Sequence, residues 1–302
     1  MKVIRSRVLG YCFGVRRAVT MAWAQLDKSK ARKRHRVFSL GPLIHNPQAV
    51  EQLNAAGMQV LPEEFSARGA AHLFPHSSII IRAHGISPQF EAELNCYGAP
   101  LVDATCPRVK SNQLKAQGLA QAGYHIFLVG ENNHAEVSGI KGYIEEGYAE
   151  AGITGIKAII VSTPKEASIQ AEKVFQGAPN AKTAALAQTT IQKETFEDIA
   201  DIIQGYFPSL ERIDTICGSD ASESMIELCT KVEAVIVAGG RASANTRRLL
   251  EIARKQGKPA WLIEQAGELP PAIYSYSVVG LGAGASTPDF IIDEIEQALS
   301  GQ

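Results

Sequence analysis

Short apolar runs alternate with longer segments of three- and four-residue apolar spacing along almost the whole chain. The runs at 37–40, 78–82, 125–129, 157–162, 183–188, 234–238, 260–263 and 276–281 read as β-strands. Several are continuously apolar, among them Ile79-Ile80-Ile81, Ile126-Phe127-Leu128-Val129 and Val235-Ile236-Val237. A strand covered by helices on both faces shows no polar side, so this is the pattern of parallel sheets in an α/β protein. The intervening segments carry helical periodicity: Ile199, Ile202, Ile203 and Tyr206 fall on one face, as do Leu249, Leu250, Ile252 and Ala253. Gly177-Ala178-Pro179 and Gly257-Lys258-Pro259 stop helices before the next strand.

A second pattern is laid over this one. Cys12, Cys106 and Cys217 recur at intervals of roughly a hundred residues, each where a β-type run (2–7, 100–104, 212–216) meets a helix-forming run (15–26, 108–122, 222–231). Each third also holds two later strand exits with small polar or imidazole groups. These are Ile44-His45-Asn46 and His84-Gly85, then His134-Ala135-Glu136 and Gln188-Thr189-Thr190, then Ser243-Ala244-Asn245 and Gly284-Ala285-Ser286. Ligands of parallel α/β sheets bind outside the carboxyl ends of the strands. The expected fold is therefore α/β, with three pseudo-equivalent lobes and small parallel sheets around a central cavity. The lobes are expected at 13–103, 104–210 and 211–302, the last completed by the N-terminal strand within 1–12.

The 302 residues are 45% hydrophobic, enough for more than one core. A formal net charge of −1 offers no electrostatic attraction to nucleic acid or to an anionic membrane. No apolar stretch approaches the ~18 residues of a membrane span. The basic start (Lys2, Arg5, Arg7) leads into no signal-type apolar segment, so a cytoplasmic location is expected. Five dispersed cysteines make an odd number with no short spacing, which argues against a secreted disulfide framework. Cys96 and Cys229 sit in amphipathic segments and read as core residues.

The other three cysteines read as ligands. The thiolate is the metal-binding form, and helix N-termini favour it. Three thiolates can hold zinc with one open position, or an Fe–S cubane with one iron lacking a protein ligand. His45, His84 and His134, together with Ser243, Asn245, Ser286 and helix N-termini, make a phosphate-binding set without a lysine cage. Ser286 is equally suited to capping the last helix, which opens at Thr287-Pro288-Asp289. Glu136 is a candidate acid if burial raises its pKa, with Thr189 or Thr190 to relay its proton. Gly280-Leu281-Gly282-Ala283-Gly284 satisfies the loose dinucleotide pattern. No strand with a ribose-binding acid follows it, so it reads as close backbone approach to some other ligand.

At these residues the chain resembles the 4-hydroxy-3-methylbut-2-enyl diphosphate reductase family of the non-mevalonate isoprenoid pathway. The matching segments run nearly end to end: Gly10-Tyr11-Cys12-Phe13-Gly14-Val15-Arg16-Arg17-Ala18, Ile44-His45-Asn46, Ala83-His84-Gly85, Asp103-Ala104-Thr105-Cys106-Pro107, His134-Ala135-Glu136-Val137, Gln188-Thr189-Thr190, Asp214-Thr215-Ile216-Cys217, Ser243-Ala244-Asn245 and Gly284-Ala285-Ser286-Thr287-Pro288-Asp289. The resemblance implies a 4Fe–4S cluster held by Cys12, Cys106 and Cys217. It implies substrate contacts from His45, His84, His134, Ser243, Asn245 and Ser286, with Glu136 as proton source beside Thr189 and His134. The implied reaction removes the allylic hydroxyl as water, giving isopentenyl and dimethylallyl diphosphate. The implied electron donor is a ferredoxin or flavodoxin.

The chain departs from the family pattern after Cys217, where Ala-Thr and then Arg-Gln are usual. Here the segment reads Gly218-Ser219-Asp220-Ala221-Ser222-Glu223-Ser224. A charged Asp220 near a cluster is expected to lower its reduction potential. Ala244 stands where a second serine is common. Two other readings fit the same residues: a divergent paralogue acting on another small phosphorylated substrate, and a hydrolase with three cysteines on zinc.

Overall fold

The computed structural model describes residues 1–302 apart from 33, 34, 45, 63–65, 218, 242 and 302. The apolar runs form three four-stranded parallel sheets. In chain order, β1 (Lys2–Arg5) leads through α1 (Phe13–Lys30), β2 (Arg36–Leu40), α2 (Pro47–Ala55), β3 (Met58–Leu61) and α3 (Ala67–Ala70) to β4 (Ser77–Ile81), α4 (Pro88–Cys96) and β5 (Leu101–Asp103). There follow α5 (Pro107–Gln121), β6 (His125–Val129), α6 (Ala135–Glu150), β7 (Ile159–Val161), α7 (Pro164–Gly177), β8 (Thr183–Ala187), α8 (Lys193–Tyr206) and β9 (Glu211–Ile213). The chain closes with α9 (Ser219–Cys229), β10 (Ala234–Ala238), α10 (Ala244–Lys255), β11 (Ala260–Ile263), β12 (Val278–Ala283) and α11 (Asp289–Ser300).

The strand orders are β3-β2-β4-β5, β7-β6-β8-β9 and β11-β10-β12-β1, one topology used three times. The strand after which each cysteine falls (β5, β9 and β1) is always an edge strand, beside β4, β8 and β12 respectively. β1 pairs with β12 in register Arg5↔Leu281, so the N-terminal strand completes the last sheet. β9, on the far side of the expected 210/211 boundary, pairs with β8 and completes the second. The run 58–61, not expected as a strand, is β3. Its four residues lie between Gly57 and Pro62, too short for alternation to register in sequence.

The residues gather into two compact units: 1–26, 42–58 and 218–302, and 27–41 with 59–217. Within each, side-chain alternation explains the continuous apolar runs. Phe127 and Val129 pack with Ala167, Phe196 and Ile203 of α7 and α8. Ile126 and Leu128, pointing the other way, pack with Ala116, Ile140 and Ile144 of α5 and α6. In the other unit Ile236 packs with Ile291 and Ile295 of α11, whereas Val235 and Val237 meet Met225, Leu228 and Leu249 of α9 and α10.

The glycine-rich run on β12 has the same origin, which corrects the expectation of a ligand there. Gly280, Gly282 and Gly284 recur every second residue and therefore share one face. A Cβ at Gly280 would stand 3.0 Å from Leu228, one at Gly282 2.3 Å from Met225 Cε, and one at Gly284 2.1 Å from Thr246 Oγ1. The close approach is by helices α9 and α10. No helix among the described residues is long and apolar enough to cross a membrane.

Candidate active site

One backbone hydrogen bond recurs beside all three cysteines. Cys106 N–H donates to the Ala83 carbonyl (2.9 Å), Cys217 N–H to that of Thr189 (2.7 Å) and Cys12 N–H to that of Ala285 (3.0 Å). At Cys106 this extends the β4–β5 ladder: Ala104 N–H reaches the Ile81 carbonyl, and Cys106 N–H the carbonyl two residues on. Each cysteine is thereby tied to the loop leaving the adjacent strand. Those loops carry His84, Thr189 and Ser286, all singled out in the sequence.

Local side chains hold two of the cysteine turns alike. Asp103 Oδ1 accepts from Thr105 N–H (2.8 Å), and Asp214 Oδ1 accepts from Ile216 N–H (3.2 Å), the same Asx geometry ahead of the two thiols. Buried Thr215 both donates to the Ala187 carbonyl and accepts from the Ala187 N–H, each at 2.7 Å. Asn112 of α5 donates to the Thr215 carbonyl (3.2 Å). In the other unit Arg16 grips Asp289 with two bonds of 2.6 and 3.0 Å, joining the turn after Cys12 to the segment after Ser286. That guanidinium holds the Asp289 carboxyl below the usual carboxylate range.

Glu136 is the one buried carboxylate among the described residues. It opens α6 yet is only 1% exposed. Its Oε1 accepts from Thr189 N–H (2.8 Å) and its Oε2 from Thr189 Oγ1 (2.7 Å). Burial pushes its pKa up, and the two Thr189 bonds pull against that rise. His134 caps the same helix, its Nδ1 accepting from Glu136 N–H at 3.2 Å. With Nδ1 as acceptor, the ring proton belongs on Nε2, which makes that nitrogen a donor. The His84 ring stands edge to face with His134 at a centroid separation of 5.3 Å. Gln188 fixes the adjoining loops, accepting from Glu131 N–H (3.1 Å) and donating to Thr190 Oγ1 (2.7 Å). Thr190 itself is exposed, so Thr189 is the threonine in contact with the acid.

Ser243 caps α10, its Oγ accepting from Thr246 N–H (3.3 Å), a duty not anticipated in sequence. The buried Asn245 Nδ2 in the same turn has no hydrogen-bond partner among the described residues. Ser286 is half-buried. The N-cap of α11 is Pro288, without a side-chain capping bond, so Ser286 does not serve as its cap. His45 lies outside the described residues, as do Gly218 and the side chains of Ser219 and Asp220.

The three cysteines are half-buried and none of them is in a disulfide. Cys106 is the N-cap of α5 without a side-chain capping bond. The Cys12 carbonyl accepts from Arg16 N–H at the start of α1. Cys217 stands two residues before α9, and its Sγ accepts from Arg108 Nη1 at 3.4 Å. Positive helix ends and a guanidinium complement anionic sulfur, so the donor set fits a thiolate-ligated group. Among the described residues no three His, Cys, Asp or Glu side chains are grouped as ligands of a single metal ion. Of the remaining cysteines, Cys229 is buried as expected. Cys96 is exposed, a correction: it ends α4 beside exposed Asn95 and Tyr97.

The family model described as LytB protein matches residues 3–300. The chain belongs to the LytB family. Relatives of LytB type include the 4-hydroxy-3-methylbut-2-enyl diphosphate reductase of Treponema denticola, 40% identical over 99% of this chain and 99% of that protein. The reductase of the same name from Treponema pallidum (strain Nichols) is 40% identical over 99% of this chain and 84% of its own length. That from Aquifex aeolicus is 35% identical over 98% and 95%. Among solved structures, (E)-4-hydroxy-3-methyl-but-2-enyl diphosphate reductase, described as the terminal enzyme of the non-mevalonate pathway, superposes with a TM-score of 0.76 at 34% identity over the full length of both chains. A Plasmodium falciparum reductase at 24% identity shares the fold, with a TM-score of 0.78. The LytB assignment agrees with the resemblance carried by the motifs.

Proposed function

We propose that this LytB-family chain is an oxidoreductase that removes the allylic hydroxyl of 4-hydroxy-3-methylbut-2-enyl diphosphate. Two electrons and two protons are consumed, the C–O bond breaks, and water leaves with isopentenyl or dimethylallyl diphosphate as product. The observation carrying this reading is the thrice-repeated hydrogen bond from a cysteine N–H to the loop bearing His84, Thr189 or Ser286. It couples, in each sheet, a thiol to a loop whose polar group would face the substrate.

Cys12, Cys106 and Cys217 would hold a 4Fe–4S cluster. When bound, such a cluster supplies electrons singly and a Lewis-acidic iron without a protein ligand. The diphosphate end would be met by neutral donors: His84, His134 through Nε2–H, Ser243 through its hydroxyl hydrogen, Asn245 through Nδ2, Ser286, and His45. Fixing that remote end orients the hydroxyl, and such positioning is worth ~7–11 kcal/mol in favourable cases. Glu136 holds the proton. Burial keeps it on the carboxyl at a higher pH than a surface glutamate allows, and Thr189 Oγ1 at 2.7 Å is the first atom to which it can pass. The electron donor would be a small ferredoxin- or flavodoxin-type protein.

Anaerobic purification followed by turnover with an artificial one-electron donor tests the reading. Expected are a brown protein with iron and acid-labile sulfide each near four per chain, and conversion of the hydroxylated diphosphate to both alkenes. A colourless protein containing zinc, or an iron-loaded protein inert to this substrate, would overturn it.

A further inference from the structure

Arg108 occupies the first turn of α5, two residues after Cys106, and that turn contains no acidic residue. A cation there opposes the positive end of the helix dipole. Where a local rule is broken, a compensating contact is expected nearby. It is found at Cys217: Arg108 Nη1 donates to Cys217 Sγ at 3.4 Å across 109 residues of sequence. The guanidinium, itself exposed, thus starts from the helix of one cysteine and ends on the sulfur of another.

We infer that Arg108 is a positioning and tuning residue that raises the reduction potential of the metal group on Cys217, an inference resting on the cluster proposed above. An electron added to a thiolate-bound cluster spreads negative charge onto its sulfurs. Hydrogen bonds and positive charge at those sulfurs stabilise the reduced form more than the oxidised one. Arginine suits the task because it is always charged and presents planar N–H groups at a fixed angle. Part of the effect is long-range charge on an exposed group and should weaken with salt; the N–H···S bond itself should not.

The test is spectroelectrochemical titration of anaerobically reconstituted holoenzyme, wild type against Arg108→Met and Arg108→Gln. With iron and sulfide content unchanged, Arg108→Met should lower the midpoint. The reduced-to-oxidised ratio at fixed potential should fall about three- to tenfold, or roughly 30–59 mV for one electron. Arg108→Gln keeps an N–H donor without charge and should fall less. A midpoint equal to wild type in both variants would overturn the inference, as would loss of the cluster in both, which would make the contact structural. A wild-type protein that takes up no cluster would instead defeat the proposed cofactor, a separate result.

Discussion

At the residue scale, the acid assignment turns on Glu136 and its two bonds to Thr189. Glu136→Gln can keep both, because the amide oxygen still accepts from Thr189 N–H and the Thr189 hydroxyl can reverse to accept from the amide. The fold should survive while turnover falls by about 10²–10⁴. In wild type, activity should decline as pH rises through the raised Glu136 pKa, and this alkaline limb should be absent from the variant's residual rate. Thr189→Val removes a bond that holds the pKa down, so its alkaline limb should move to higher pH; a limb that stays put would remove Glu136 from the reaction. Linkage gives a second readout. A carboxyl whose folded pKa is raised contributes its stability below the unfolded pKa and loses it as pH climbs through the folded value. Glu136→Gln, uncharged throughout, should therefore gain in melting temperature relative to wild type as pH rises.

At the element scale, α6 is shaped by glycine. A Cβ at Gly142 would meet Ser87 Cβ at 2.3 Å, and one at Gly147 would meet the Gln117 carbonyl oxygen at 2.5 Å and Ala120 Cβ at 2.9 Å. Helix α5 can therefore lie against α6 with backbone almost touching. Alanine is normally the better helix former by about 1 kcal/mol. At Gly147 overpacking should outweigh that, and Gly147→Ala should cost about 1–3 kcal/mol in urea unfolding. Gly118, on the exposed side of α5, has open space around it. Gly118→Ala should stabilise by about 0.4–1 kcal/mol, so opposite signs in neighbouring helices are the outcome to look for.

At the scale of the whole molecule, one sheet topology used three times puts a cysteine after one edge strand of each sheet and polar loops after the two central strands. The proposed cluster makes a division among the five cysteines. Cys12→Ser, Cys106→Ser and Cys217→Ser should each lose most of the bound iron and sulfide, whereas Cys96→Ser, at an exposed helix end, should keep both. Equal iron content across all four variants would show that the three recurring thiols are not the ligands.

Eleven of the twelve strands among the described residues were legible as apolar or β-type runs; in central strands such as β6 and β10, burial on both faces leaves an almost wholly apolar run that needs no partner to be read. The threefold recurrence of cysteine junctions was legible for a similar reason: spacing is a property of the chain alone. Three things depended on contacts far apart in sequence. The contact that encloses Glu136 spans 53 residues, from the first turn of α6 to the loop at Thr189. The meaning of Gly280, Gly282 and Gly284 depended on which helices lie on β12. The bond from Arg108 to Cys217 joins positions whose neighbours give no hint of each other. Local pattern determines which elements form and which residues are available for chemistry; tertiary packing decides which side chains lose water, and with it which of them acquire an unusual charge or proton.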